Sequence, residues 1–196
     1  MFRPNTIHSS LSLRDKIYSF DYILVFSILI LGIISMFAMY STDGGEINYH
    51  TKNHIIRFIV FFILFLIFSL FQINIWFSTS ILLYILFFGL LICVKYFGLT
   101  SSGSQRWLNL YFMNLQPSEL MKIGLLLFLA RYYHQISTRD VNKVKYLFIP
   151  FTAVFAPVLL VVAQPDLGTS ILIALSGIIV LWLAGINIKY FFYSTL

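Results

Sequence analysis

Two polar stretches interrupt an otherwise apolar chain, and between them they hold four ionisable side chains suited to chemistry. The first runs Ser104-Gln-Arg-Trp-Leu-Asn109 and is followed by Gln116-Pro-Ser-Glu-Leu-Met-Lys122; the second is Gln164-Pro-Asp-Leu-Gly-Thr169. Arg106, Glu119, Lys122 and Asp166 thus stand beside or inside apolar runs, where a charge costs free energy unless it is paired or used. Glu119 and Lys122 are three residues apart, which on a helix puts them on one face, with Lys122 about one turn deeper. Arginine offers a bidentate fork and lysine a point charge for phosphate oxygens, so an anionic head group is the ligand this set would serve. A plainer reading is a buried ion-pair network tethering a loop to its helices. Asp166 has a plainer reading too, as an N-cap whose carboxylate accepts the first free N–H groups of a helix. Two carboxylates can also support acid–base work, but Glu119 and Asp166 lie on different helices and the sequence does not give their separation. No Walker A loop, G-x-S-x-G or H-E-x-x-H motif accompanies them.

The elements that must position these groups follow from composition. The chain has 196 residues, is 60% hydrophobic and only 10% charged, against about 45–50% and about 25% in ordinary soluble domains. Apolar runs near 20 residues recur, so the expected fold class is an all-α polytopic integral membrane protein with about six transmembrane helices. The predicted spans are 22–40, 55–71, 79–96, 117–133, 147–163 and 167–186, preceded by a tail over 1–21 and followed by a short end over 191–196. Residues 22–190 read as one membrane domain without internal repeats. The first span is too long for a signal-peptide core and no small-residue cleavage site follows it, which predicts an uncleaved anchor. Residues 97–116 are expected to be a loop, as are 131–146. Pro117 suits the first turn of a helix, Glu119 there complements the helix dipole, and Pro157 predicts a kink.

With both termini in the cytoplasm, eight of the thirteen Lys and Arg residues fall on the inner side, in keeping with the positive-inside rule. Both motifs then face outward. The net charge of +6 is read as topology and not as nucleic-acid binding, since no basic run or RNA-binding motif is present. Cys93 is the single cysteine, and His8, His50, His54 and His134 have no ligand-like spacing, so neither an intrachain disulfide nor a metal site is expected.

Ser104-Gln-Arg-Trp-Leu, Gln116-Pro-Ser-Glu-Leu-x-Lys122 and Ala163-Gln-Pro-Asp-Leu-Gly-Thr-Ser170 resemble, in order and spacing, the signatures of the SEDS family (shape, elongation, division and sporulation). The continuation Ile171-Leu-Ile-Ala-Leu-Ser-Gly177 is most similar to its rod-shape branch, RodA, rather than to FtsW. The resemblance covers about residues 14–189 and implies a peptidoglycan glycosyltransferase of the bacterial cytoplasmic membrane. Such a protein polymerises lipid II for cell-wall elongation, with a class B penicillin-binding transpeptidase and other elongation-complex membrane proteins as partners. Carried over, Arg106 and Lys122 would meet the diphosphate of lipid II, Glu119 would orient Lys122, and Asp166 would shape the cavity rim.

The family has about ten spans and this sequence supplies six. The aspartate expected as general base belongs to an outer loop with no counterpart here. The expectation is therefore an N-terminal portion that does not polymerise lipid II alone, with the catalytic residue absent. No cofactor is evident, although the resemblance leaves room for a divalent metal in the complete enzyme. Two other classes compete: a flippase or transporter of lipid-linked precursors, and a non-catalytic scaffold of the elongation complex. Alternating access needs a polar path reachable from both faces, whereas the ionisable groups here gather on one side, which favours the polymerase.

Overall fold

The computed structural model describes residues 13–101, 104–109, 114–137 and 139–187. The chain divides into two compact units, Met1–Gln72 and Ile73–Leu196. The first contains α1 (Leu13–Tyr18), α2 (Tyr22–Thr42) and α3 (Tyr49–Ser69). The second contains α4 (Ile73–Phe97), the short strands β1 (Leu99–Ser101), β2 (Ser104–Asn109) and β3 (Asn114–Leu115), then α5 (Pro117–His134), α6 (Val144–Val162) and α7 (Leu167–Leu183). Among the described residues α2, α3, α4 and α6 are each long and apolar enough to cross a membrane, and α7 is a shorter apolar helix. This is a multi-pass helical membrane protein. A helix is the natural spanning element because it satisfies its backbone internally where no water can do so.

In the first unit α2 and α3 form a hairpin. Asp21 caps α2 by accepting from the Leu24 N–H at 3.1 Å. The turn after α2 passes through Gly44 and Gly45, both in the left-handed region at φ 80° and 81°, which glycine adopts without a Cβ penalty. Asp43 closes the turn: its Oδ2 accepts from the Thr51 N–H at 2.8 Å and from the Thr51 hydroxyl at 2.5 Å. Those bonds to Thr51 hold the Asp43 carboxyl below its usual pKa of 3.8. Lower in the hairpin Gly32 meets the Phe58 ring with no room for a Cβ, and Ser35 Oγ lies 2.9 Å from His54 Nε2.

The second unit has the buried core. Leu91 of α4, Met121, Leu125 and Leu129 of α5, Val154 and Val161 of α6, and Ile173 and Leu181 of α7 are all nearly inaccessible. Small residues set the helix spacing: Gly124 faces Phe87 and Tyr84, and Gly177 faces Val154. Small residues at such contacts let membrane helices approach closely. The Tyr84 hydroxyl donates to the Ala153 carbonyl at 2.9 Å, linking α4 to α6.

Several boundaries differ from those expected. Residues 97–116 were expected to be a loop, but they include an antiparallel sheet of order β1-β2-β3, pairing Thr100 with Gln105 and Leu108 with Leu115. Its strands are too short to carry a readable two-residue alternation. α3 begins at Tyr49 and α4 at Ile73, each about two turns before the expected span. In α3 the helical hydrogen bonding extends into the polar residues 49–54, beyond the part that lipid can wet, whereas the extension of α4 over 73–78 is itself largely apolar. The basic segment expected as a loop over 131–146 is shorter, because α5 continues to His134 and α6 starts at Val144.

Candidate functional site

The candidate residues gather at one end of the second unit, where α4 finishes, α5 starts and the α6–α7 turn lies. Arg106 is in the middle of β2. Its Nη2 donates to the Pro165 carbonyl at 2.8 Å, and its Nε stands 3.5 Å from Asp166 Oδ2. The link joins two residues 59 positions apart and fixes the sheet against the start of α7. Asp166 is also the N-cap of α7: it accepts from the Thr169 N–H at 3.2 Å and from the Thr169 hydroxyl at 2.9 Å. The capping and cation-holding roles are therefore both present. The Asp166 side chain is 8% exposed and that of Arg106 36%, so the carboxylate is enclosed while the guanidinium keeps an open edge. Arg106 Nη1 has no partner among the described residues, and Nε is buried without a hydrogen bond that meets normal geometry.

Glu119 and Lys122 form the second pair. Pro117 opens α5 and puts Glu119 in its first turn. Lys122 Nζ lies 2.9 Å from each Glu119 oxygen. Lys122 is the more enclosed partner, at 23% side-chain exposure against 55% for Glu119. Among the described residues no hydrogen bond or ion pair joins the Arg106–Asp166 pair to the Lys122–Glu119 pair. The structure thus brings the four residues to one end as two ion pairs that are separate among the described residues, where each cation also has N–H donors without a partner.

One supporting residue received no role from the sequence. Gln164 is buried, and its Nε2 donates to the Leu91 carbonyl at 3.1 Å, pinning the α6–α7 turn to α4. The signal for it was present: an amide directly after an apolar run, one residue before Pro165. Arg131, expected in a loop, lies in the last turn of α5. It donates to the Phe77 and Ser78 carbonyls at 3.0 and 2.8 Å and covers the Phe77 ring at 5.3 Å. It is a clamp at the other end of the unit. Beside it Lys143 pairs with Asp140 at 2.7 Å, which raises the Lys143 pKa through that hydrogen bond. Among the described residues no group of three His, Cys, Asp or Glu side chains converges.

Comparison with known proteins places the chain in a family. Residues 16–196 match the family model for the FtsW, RodA and SpoVE cell cycle proteins. The peptidoglycan glycosyltransferase MrdB of Escherichia coli K12 is 49% identical over 107 residues, covering 54% of this chain and 28% of that protein. A probable peptidoglycan glycosyltransferase FtsW of Buchnera aphidicola from Acyrthosiphon pisum is 32% identical over 193 residues, 96% of this chain and 47% of that protein. The chain thus matches about half the length, or less, of these curated relatives. The crystal structure of the rod shape determining protein RodA of Thermus thermophilus shares the fold, with a TM-score of 0.78 and 22% identity over 90% of this chain and 57% of that one. A peptidoglycan synthase complex that coordinates polymerization and crosslinking contains a chain similar at a TM-score of 0.75 and 23% identity, covering 85% of this chain and 48% of that one. With its motifs in order and nearly its whole length matched, this chain belongs to the FtsW/RodA/SpoVE family.

Proposed function

We propose that this chain supplies the substrate-holding part of a RodA-like peptidoglycan glycosyltransferase, with lipid II as substrate and the outer side of the bacterial cytoplasmic membrane as the place of action. The carrying observation is the pair of incompletely used cations, Arg106 and Lys122, each steadied by one carboxylate at the same end of a helical unit. A lipid diphosphate offers oxygens to both. When glycosyl transfer breaks the bond between sugar and diphosphate, the leaving group gains charge, and fixed cations at that point lower the barrier. Glu119 orients Lys122, and Asp166 holds Arg106 while capping α7. The names of the curated relatives support the reaction class. A penicillin-binding transpeptidase partner agrees with the synthase complex that shares this fold.

Binding tests this reading without requiring turnover. The chain in lipid nanodiscs should bind lipid II, and Arg106→Ala or Lys122→Ala should each weaken binding. Loss of one charged hydrogen bond is worth about 1.5–3 kcal/mol, or roughly 10- to 150-fold in Kd. Unchanged affinity in both variants would remove the diphosphate role. A flippase would instead show lipid II crossing liposomes that contain the chain.

A further inference from the structure

A second polar feature lies in the first unit and takes no part in the site above. His50, Asn53, His54 and Arg57 follow one another along the first three turns of α3. Their spacing of three, four and seven residues places them on a single stripe of the helix. Lys52 points to the opposite side by the same geometry. Every member of the stripe can donate a hydrogen bond and none is a carboxylate. The stripe borders the α2 contact without being consumed by it: His54 reaches Ser35 at 2.9 Å, while His50 and Arg57 are exposed and Asn53 is partly so. The carboxylate facing this end is Asp43, whose Oδ2 is occupied by Thr51; Glu46 lies exposed in the connection. From Phe58 onward α3 is wholly apolar up to Ser69. Arg57 is therefore the last polar group before the lipid-wetted part, at the depth where a bilayer presents its phosphates.

We propose that this stripe is a binding site for the phosphodiester of an anionic lipid headgroup. The Arg57 fork takes two oxygens of the phosphate, and Asn53 and His50 donate from the turns above it. This site is independent of the diphosphate reading of Arg106 and Lys122.

The test is native mass spectrometry of the chain released from nanodiscs containing phosphatidylglycerol and phosphatidylcholine. Wild type should retain phosphatidylglycerol in preference, and Arg57→Gln should retain it at least about fivefold less, with Asn53→Leu intermediate. The double variant Arg57→Gln/Ile56→Arg restores the charge at nearly the same depth but turns it about 100° around the helix; it should stay deficient. Full retention by Arg57→Gln, or recovery in the double variant, would overturn the site in favour of charge that merely reaches for the interface. Displacement by millimolar inorganic phosphate would assign the stripe to the free anion; resistance to it assigns the stripe to the lipid. Lipid II binding measured on the same variants should be unchanged, which separates failure of this site from failure of the other.

Discussion

Asp43 and Gln164 show how much a single polar side chain can decide in a membrane hairpin. Asp43 accepts two hydrogen bonds from Thr51, and its pKa lies below 3.8. A carboxylate with a depressed folded-state pKa stabilises the fold fully above the unfolded value and stops doing so as pH falls through the folded one. Denaturation measured at a series of pH values should therefore show wild type losing its stability advantage over Asp43→Asn as pH falls below 3.8, with the advantage fully present at pH 7; equal stability at pH 7 would remove the role of the carboxylate. Gln164 acts by geometry instead. Replacement by leucine keeps the volume and removes the bond to the Leu91 carbonyl, a loss of about 0.5–1.5 kcal/mol. Because the same turn presents Asp166 to Arg106, Gln164→Leu should also weaken lipid II binding although it touches no ligand. A lower melting temperature with unchanged binding would confine Gln164 to a structural role.

At the scale of helices, packing is set by where side chains are missing. A Cβ on Gly177 would stand 2.6 Å from Val154 Cγ2. Val154 is buried and β-branched, so it has no easy rotamer to retreat into. Gly177→Ala should cost about 1–3 kcal/mol, read as a drop in the detergent melting temperature, and Val154→Ala in the same chain should recover part of it. Much at this scale was legible beforehand, because apolar runs and charge interruptions are direct readouts of what lipid accepts. Pro117, Glu119 and the Gln164–Asp166 turn announced the helix starts that carry the site. What could not be read has physical causes. The β1–β3 sheet depends on pairing partners within a polar segment. The added turns at the start of α3 are hydrogen-bonded without being apolar, while those of α4 hold Asn74 and Ser78 among apolar residues that lie close in sequence to the end of α3. The two-pair arrangement of Arg106, Asp166, Lys122 and Glu119 depends on distances between helices that spacing along the chain does not encode.

For the whole molecule the open question is orientation, and the single cysteine makes it accessible. With Cys93→Ser as a label-free background, Asn114→Cys and Arg139→Cys place thiols at exposed positions near opposite ends of the second unit. If the site faces outward, a membrane-impermeant maleimide should label Asn114→Cys in intact cells and Arg139→Cys only after permeabilisation. The reverse pattern would put the candidate site in the cytoplasm and favour a precursor-handling role there. The uneven distribution of Lys and Arg, with Arg131, Arg139, Lys143 and Lys145 close together in sequence, supports the first outcome.

The bond from Arg106 to the Pro165 carbonyl also has a consequence for the order in which the chain is made. The two residues are separated by 59 positions, and ribosomes add about 5–20 residues per second. For about 3–12 s after Arg106 emerges, its eventual partners have not yet been synthesised. Through that interval the guanidinium lacks the Pro165 carbonyl and the Asp166 carboxylate that hold it in the folded chain. The α4–α5 hairpin must therefore insert without the two partners that hold Arg106 in the folded chain, and the arrival of the α6–α7 turn is the event that supplies them.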